Sequence, residues 1–201
     1  MQTFLPSPSP DDSARILDSV RLNKQRLEGL QILGALADPT RGYANHPAIV
    51  MWRGRTEALA CWYLAAICDE CDRRGIADNT QMRQRIMAHS LTETMPAVGW
   101  VLPWWVSTEA LHLSHRRNLA HKHESYARMF GAEIGEKPPY VWPVHADEYE
   151  ANDTTLTMVT RYVKPRKFLG TLGPPDAQGS RLFSTRQANG VAVAYLLEKQ
   201  G

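Results

Sequence analysis

No apolar run in this 201-residue sequence reaches the ~18–20 residues of a bilayer-spanning helix, and the longest candidate is broken by Cys68, Asp69 and Glu70. The first residues, MQTFLPSPSPDD, have neither the basic start nor the apolar middle of a secretory signal, so we expect a cytoplasmic protein without a membrane partner. Cysteine is scarce and odd in number. Cys61, Cys68 and Cys71 fall on one predicted helix, and Cys68-x-x-Cys71 has no second pair or adjacent strand to make a ribbon or redox motif. They read as reduced thiols on a helix face. An excess of one charge is missing too: the net charge is +2, so the whole-molecule field announces no nucleic-acid partner. No internal repeat is visible.

What is present is a hydrophobic fraction of 43% and six tryptophans, enough for a packed globule. Charge is concentrated locally. Residues 112–128 hold Arg116, Arg117, Lys122 and Arg128 against one acid, Glu124, and 161–167 (RYVKPRK) holds four bases and no acid. Such faces can neutralise phosphates although each alone also fits a solvated surface.

Pro6, Pro8 and Pro10 predict an extended entry, after which Asp11-Asp12-Ser13 caps one long helix running to Ala37. In it Ile16, Val20, Leu27 and Leu30 fall on one side, while Asp18, Arg21, Lys24, Gln25 and Glu28 recur at three- and four-residue steps on another. A turn, DPTRGYANHP, leads to a second helix from Ala48 to Arg74, with Pro47 in its first turn and Gly75 as its stop. Further helices are predicted over 80–93 and from Ser107 or Thr108 to Phe130, ending at Gly131. PYVWP should be extended, TLTMVTRYVK is strand-like, GTLGPPDAQGS is loop, and a final helix spans 185–199. The expected fold class is all-α: a helical domain of about four main helices over 1–150, with an irregular basic extension over 151–201 containing short strands and the final helix.

The polar stripe of the first helix is explained at minimum by an exposed salt-bridge ladder. Its company extends the possibilities: Asn45-His46-Pro47, Met51-Trp52-Arg53-Gly54, and a histidine-rich fourth helix. His112 and His115 at i,i+3, with Arg116, Asn118 and Lys122, suit phosphate or hydrogen-bonding contacts. A metal site would need further ligands from His46 or the cysteine pair, so no metal or cofactor is expected. Trp100, Trp104 and Trp105 occupy a proline-rich loop; one of them, if exposed, would stack on a base or wedge into an opened duplex.

Four blocks in order, RLNKQRLEGLQIL (21–33), NHPAIVMWRG (45–54), LHLSHRRNL (111–119) and PYVWP (139–143), resemble the pyrimidine-dimer DNA glycosylases, also called endonuclease V, of bacteria and phages. The resemblance implies a helical enzyme that binds duplex DNA, extrudes a nucleotide and cuts the N-glycosidic bond of a damaged pyrimidine. In the phage members a free α-amine attacks the sugar, forming an imine, and a glutamate on the first helix stabilises the sugar cation and assists strand cleavage. Here Leu22, not an acid, follows Arg21, and bulky Gln2 predicts retention of Met1. The catalytic candidates carried by the resemblance are therefore Glu28, Lys24, Arg21, Asp18 and Met1, with the amine supplied by Met1, by Lys24 or by neither. Asn45, His46, Arg53, Trp105, His112, His115, Arg116 and Lys122 are the DNA-binding candidates. The expected partner is double-stranded DNA with a damaged or modified base, met by a monomer. Two alternatives stand beside it: a glycosylase for hypermodified phage bases acting in defence, and a DNA-binding protein without catalysis.

Overall fold

The computed structural model describes residues 1–40, 42–77, 79–89, 101–131, 137–159, 166–186 and 192–200. Trp100 and the basic run 161–165 lie outside them. The chain divides into two compact units, Met1–Val106 and Ser107–Gly201. The composition change near residue 150 falls inside the second unit. No helix among the described residues is long and apolar enough to cross a membrane.

In the first unit the predicted long helix is two. Ser9 caps α1 (Pro10–Ile16), with Pro10 at its first position, where a missing N–H costs nothing. The chain turns extended at Leu17, and Asp18 caps α2 (Ser19–Ala37), its carboxylate accepting from the Arg21 amide at 2.8 Å. An internal aspartate with an orphan N–H to satisfy starts a new helix more readily than it continues an old one.

The buried face of α2 also differs from the one the apolar spacing suggests. Val20 is 78% and Leu27 48% exposed, whereas Leu22, Gln25, Arg26, Gly29, Ile32 and Leu33 are buried. Two polar residues belong to that face because each has partners inside: Arg26 donates to Asn79 Oδ1 (2.9 Å) and to the Ala77 carbonyl (3.3 Å). Gly29 permits the close packing; a Cβ there would lie 2.3 Å from Leu64 Cδ2.

The second predicted helix is likewise divided. A short α3 (Pro47–Val50) and a turn through Gly54 precede one turn of π-helix (Ala58–Tyr63), which runs into α4 (Leu64–Arg73). Pro47 at the first helical position and Gly75 at φ 65° just past the end are where the sequence suggested. A shorter α5 (Asn79–Met87) follows. Cys68 and Cys71 are buried free thiols on α4, and burial pushes the Cys68 thiol up to about 11. Such a thiol is a poor nucleophile.

A buried carboxylate fastens α4 to α1. Glu70, 5% exposed, takes two hydrogen bonds from the Arg73 guanidinium and one from Arg74 Nε, all 2.6 Å. Arg74 also donates to the Leu17 and Arg15 carbonyls at 2.7 and 3.0 Å, satisfying the open end of α1. Hydrogen bonds from Arg73 outweigh burial and, with those from Arg74, hold the Glu70 carboxyl at about 2 against an ordinary 4.5. A folded-state pKa below the unfolded one stabilises above the unfolded value and is lost as pH falls toward the folded value. Unfolding followed from pH 6 to pH 2 should therefore show a loss of at most ~3 kcal/mol setting in below the ordinary carboxylate range. Glu70→Gln should be less stable at neutral pH and lack this component of the acid limb. An acid limb identical in both proteins would show that Glu70 is not its source.

The second unit overturns the all-α expectation. After α6 (Glu109–Ala120) and α7 (Glu124–Phe130) the chain forms a six-stranded sheet in the order β1-β6-β5-β4-β3-β2. Its strands are β1 (Val141–Val144), β2 (Tyr149–Ala151), β3 (Thr155–Met158), β4 (Arg166–Pro175), β5 (Arg181–Arg186) and β6 (Ala192–Leu197). β1 pairs parallel with β6, Val141 opposite Ala194, and the other pairings are antiparallel. Of the segment expected as a final helix, Thr185 and Arg186 end β5 and Ala192–Leu197 form β6. β6 lies between β1 and β5 and is buried on both faces, so it reads as an unbroken apolar run that shows no strand alternation. The expected loop GTLGPPDAQGS is most of β4 and a tight turn in which Asp176 Oδ1 accepts from the Gln178 and Ser180 amides at 3.0 and 2.8 Å. The predicted fourth helix is interrupted where His123 caps α7, its Nδ1 accepting from the Ser125 amide at 3.2 Å.

Candidate active site

The residues before α1 belong to no helix or sheet and form a buried segment, here called the amino-terminal strand, held by side chains. Gln2 and Phe4 are under 9% exposed, Thr3 and Leu5 fully buried. A strand without a neighbouring strand must satisfy its backbone otherwise. The Gln2 amide donates to Glu28 Oε2 at 2.9 Å, and the Phe4 amide donates to Gln25 Oε1 at 2.9 Å. The Tyr63 hydroxyl lies 2.6 Å from Gln25 Oε1 and 3.1 Å from the Phe4 carbonyl oxygen, so its one proton is shared between them. Burial and then the Glu28 charge raise Tyr63 well above the usual phenol range, against the pull of its bond to Phe4, so the hydroxyl stays a donor. Trp52 Nε1 donates to Thr3 Oγ1 at 3.1 Å. Below, Trp52 packs edge-on against Trp105, centroids 5.0 Å apart, and Trp105 Nε1 donates to the Met51 carbonyl at 3.2 Å.

The strand delivers the amino-terminal end of the chain to Glu28, whose side chain is 14% exposed. Lys24 Nζ is 3.9 Å from Glu28 Oε1, and the lysine is 67% exposed. The turn before α3 closes the neighbourhood. His46 caps α3, its Nδ1 accepting from the Ala48 amide at 3.1 Å, which leaves the proton of the neutral ring on Nε2. Burial first and the Met1 α-ammonium second lower the His46 pKa. Arg53 donates to the Ala44 carbonyl (2.7 Å) and Asn45 Oδ1 (3.1 Å), bracing the turn.

The predicted residues thus separate. Glu28, Met1, Lys24 and His46 lie in one neighbourhood, with Asn45 and Arg53 on the same turn as His46. Asp18 and Arg21 sit at the start of α2, where the aspartate caps the helix and pairs with the arginine. Trp105 is fully buried. In the second unit His112 and His115 are buried, the His115 ring 6.0 Å from that of Tyr140; Arg116 is ion-paired with Glu109, and Lys122 is exposed. No group of three or more His, Cys, Asp or Glu capable of holding a metal occurs among the described residues.

Residue spacing does not reveal the parts of Thr3, Trp52 and Tyr63, or that Gln25 serves as an internal acceptor. The available signal was TFL ahead of the prolines, too short for a helix and too apolar for a free tail.

Chemically, a carboxylate, an amine end and a neutral imidazole in a partly buried setting suit stabilisation of a cation and attack on an electrophilic carbon. No curated protein and no solved structure matches the chain. A family model described as pyrimidine dimer DNA glycosylase matches residues 1–84, the stretch that holds the buried strand, Glu28 and the His46 turn. The chain is thus similar to the pyrimidine dimer DNA glycosylases over residues 1–84.

Proposed function

We propose that the protein excises a damaged pyrimidine from DNA, with a pyrimidine dimer as its substrate and Glu28 as the catalytic carboxylate. The observation that carries this reading is the 2.9 Å hydrogen bond from the Gln2 amide to Glu28 Oε2, because it joins the amino-terminal end to the helix acid. In the proposed reaction the Met1 α-amine, as the free base, attacks C1′ of the deoxyribose. The N-glycosidic bond breaks, its electron pair leaves with the base, and the base takes up a proton; it stays joined to the neighbouring pyrimidine through the dimer, so base release is read after photoreversal. Glu28 stabilises the positive charge that develops on the sugar and accepts the proton released by the amine. Glu28 returns that proton to O4′ as the sugar ring opens, giving an imine between Met1 and C1′, from which loss of a C2′ proton and of the 3′ phosphate by β-elimination would cut the strand. Lys24, Arg21 and Arg53 are assigned to flanking phosphates; in the second unit that role is kept for Lys122, and the buried His112 and His115 are not assigned to it.

Incubation with irradiated duplex should yield abasic sites, and borohydride should trap a covalent protein–DNA adduct. Peptide mapping should find the adduct on the amino-terminal nitrogen, and Lys24→Ala should still form it. An adduct on Lys24 would move the nucleophile to the lysine. Salt-sensitive binding with neither abasic product nor adduct would overturn the enzyme reading in favour of a non-catalytic DNA-binding protein.

A further inference from the structure

A base in duplex DNA is stacked and paired, and an enzyme that extrudes it gains by filling the gap left behind. The tryptophan loop was the place to expect such a filler, but Trp105 has no exposed surface and its indole is bound to the Met51 carbonyl. Among the described residues of the first unit, the large exposed hydrophobic side chains are Val20, Leu27, Tyr43, Met87, Val101 and Leu102, and Tyr43 is the aromatic one, 71% exposed.

Its setting is unusual for an exposed aromatic. The Tyr43 carbonyl accepts from the His46 amide at 2.8 Å, closing a tight turn. The next residue, Ala44, is buried, and its carbonyl is held by Arg53 at 2.7 Å. Asn45 is held by the same guanidinium and His46 is bound to the backbone of α3. The ring therefore projects from a braced support, which limits the ordering cost of using it in binding. The same turn carries His46, which caps α3, and just past α3 the Trp52 indole is bound to Thr3 at 3.1 Å, so the turn opens the helix that adjoins the amino-terminal segment of the candidate active site. Arg53 adds a positive charge suited to a phosphate beside an opened step.

We propose that Tyr43 is the wedge of this enzyme, its ring stacking into the helix at the step from which the target nucleotide is extruded. The inference rests on the excision reading and predicts a specificity of its own: the ring matters where a duplex has to be opened. Base release should be compared on a thymine dimer in a fully paired duplex and on the same dimer in a single strand. Tyr43→Ala should lose roughly 10–100-fold on the duplex, the range for one lost stacking contact, and much less on the single strand. Tyr43→Phe should restore the duplex rate, because the ring and not the hydroxyl is used. Equal losses on both substrates, or none on either, would overturn the proposal. A fluorescent 2-aminopurine opposite the dimer separates this from failure of the excision reading. Wild-type protein should unstack the probe on binding and Tyr43→Ala should not, whether or not a base is released. Equal unstacking by both proteins, or by neither, would sink the wedge.

Discussion

Glu28→Gln should lower base release from a dimer-containing duplex by at least ~10²–10³-fold, the usual cost of removing one electrostatic stabiliser of a developing charge. The substitution isolates charge from shape. Glutamine has the same outline and keeps an oxygen to accept from the Gln2 amide, so the buried strand should stay in place. DNA affinity should change by only a few-fold, since a carboxylate beside phosphates contributes repulsion rather than attraction. The decisive measurement is single-turnover base release with the dissociation constant measured in parallel. A variant that binds and turns over like the wild type would remove Glu28 from the chemistry. Lys24→Ala is the companion: on an exposed side chain 3.9 Å from Glu28 it should affect binding in low salt more than the chemical step.

Gln25→Leu should be the most damaging substitution on the other side of the strand. Gln25 Oε1 accepts from both the Phe4 amide and the Tyr63 hydroxyl, and all three groups are buried. Leucine has no acceptor, so the Phe4 amide loses its bond to Gln25 while the Tyr63 hydroxyl is left with the Phe4 carbonyl alone. A buried donor deprived of its acceptor costs about 1–3 kcal/mol, and a loss of that order is expected in urea unfolding. Because the strand carries the amino terminus to Glu28, a displacement of about 1 Å is also expected to cost on the order of 10²-fold in base release even where the protein remains folded. Tyr63→Phe should be milder, since Gln25 keeps its bond from the Phe4 amide and only the shared hydroxyl proton is lost. Slow hydrogen exchange at the Phe4 amide in the wild type, and fast exchange in Gln25→Leu, would show the strand detaching. Unchanged unfolding and unchanged exchange would mean that the hydrogen bond does not hold the strand.

These two residues mark where reading the sequence stopped being sufficient. Asp18, Arg21, Lys24, Gln25 and Glu28 were read as one polar stripe because polarity recurs at helical spacing. In the folded unit Gln25 faces the core, Glu28 is nearly covered, Lys24 is in solvent, and Asp18 and Arg21 begin the helix. Helical periodicity reports which residues share a face. It does not say that a polar face is wet, because a segment remote in sequence can supply the partners that make polar burial affordable.

Local rules were enough wherever the cause was local. Pro47 opening a helix, Gly75 and Gly131 closing helices, and the extended PYVWP segment follow from backbone dihedrals and missing N–H groups within a few residues. The ordered motifs that resemble the glycosylase family were also legible, and the family match covers the stretch holding two of the four. The sheet was not legible, because β6 pairs with β1, some fifty residues earlier, and is buried on both faces. A doubly buried strand and a buried helix present the same apolar run, and only pairing between distant segments distinguishes them. The active-site candidate follows the same division. By itself the sequence determined that an acid, two amines and an imidazole were available near its beginning. The tertiary structure decided which of them meet, because Gln2 and Glu28 are brought together by hydrogen bonds and packing from Thr3, Gln25, Trp52 and Tyr63.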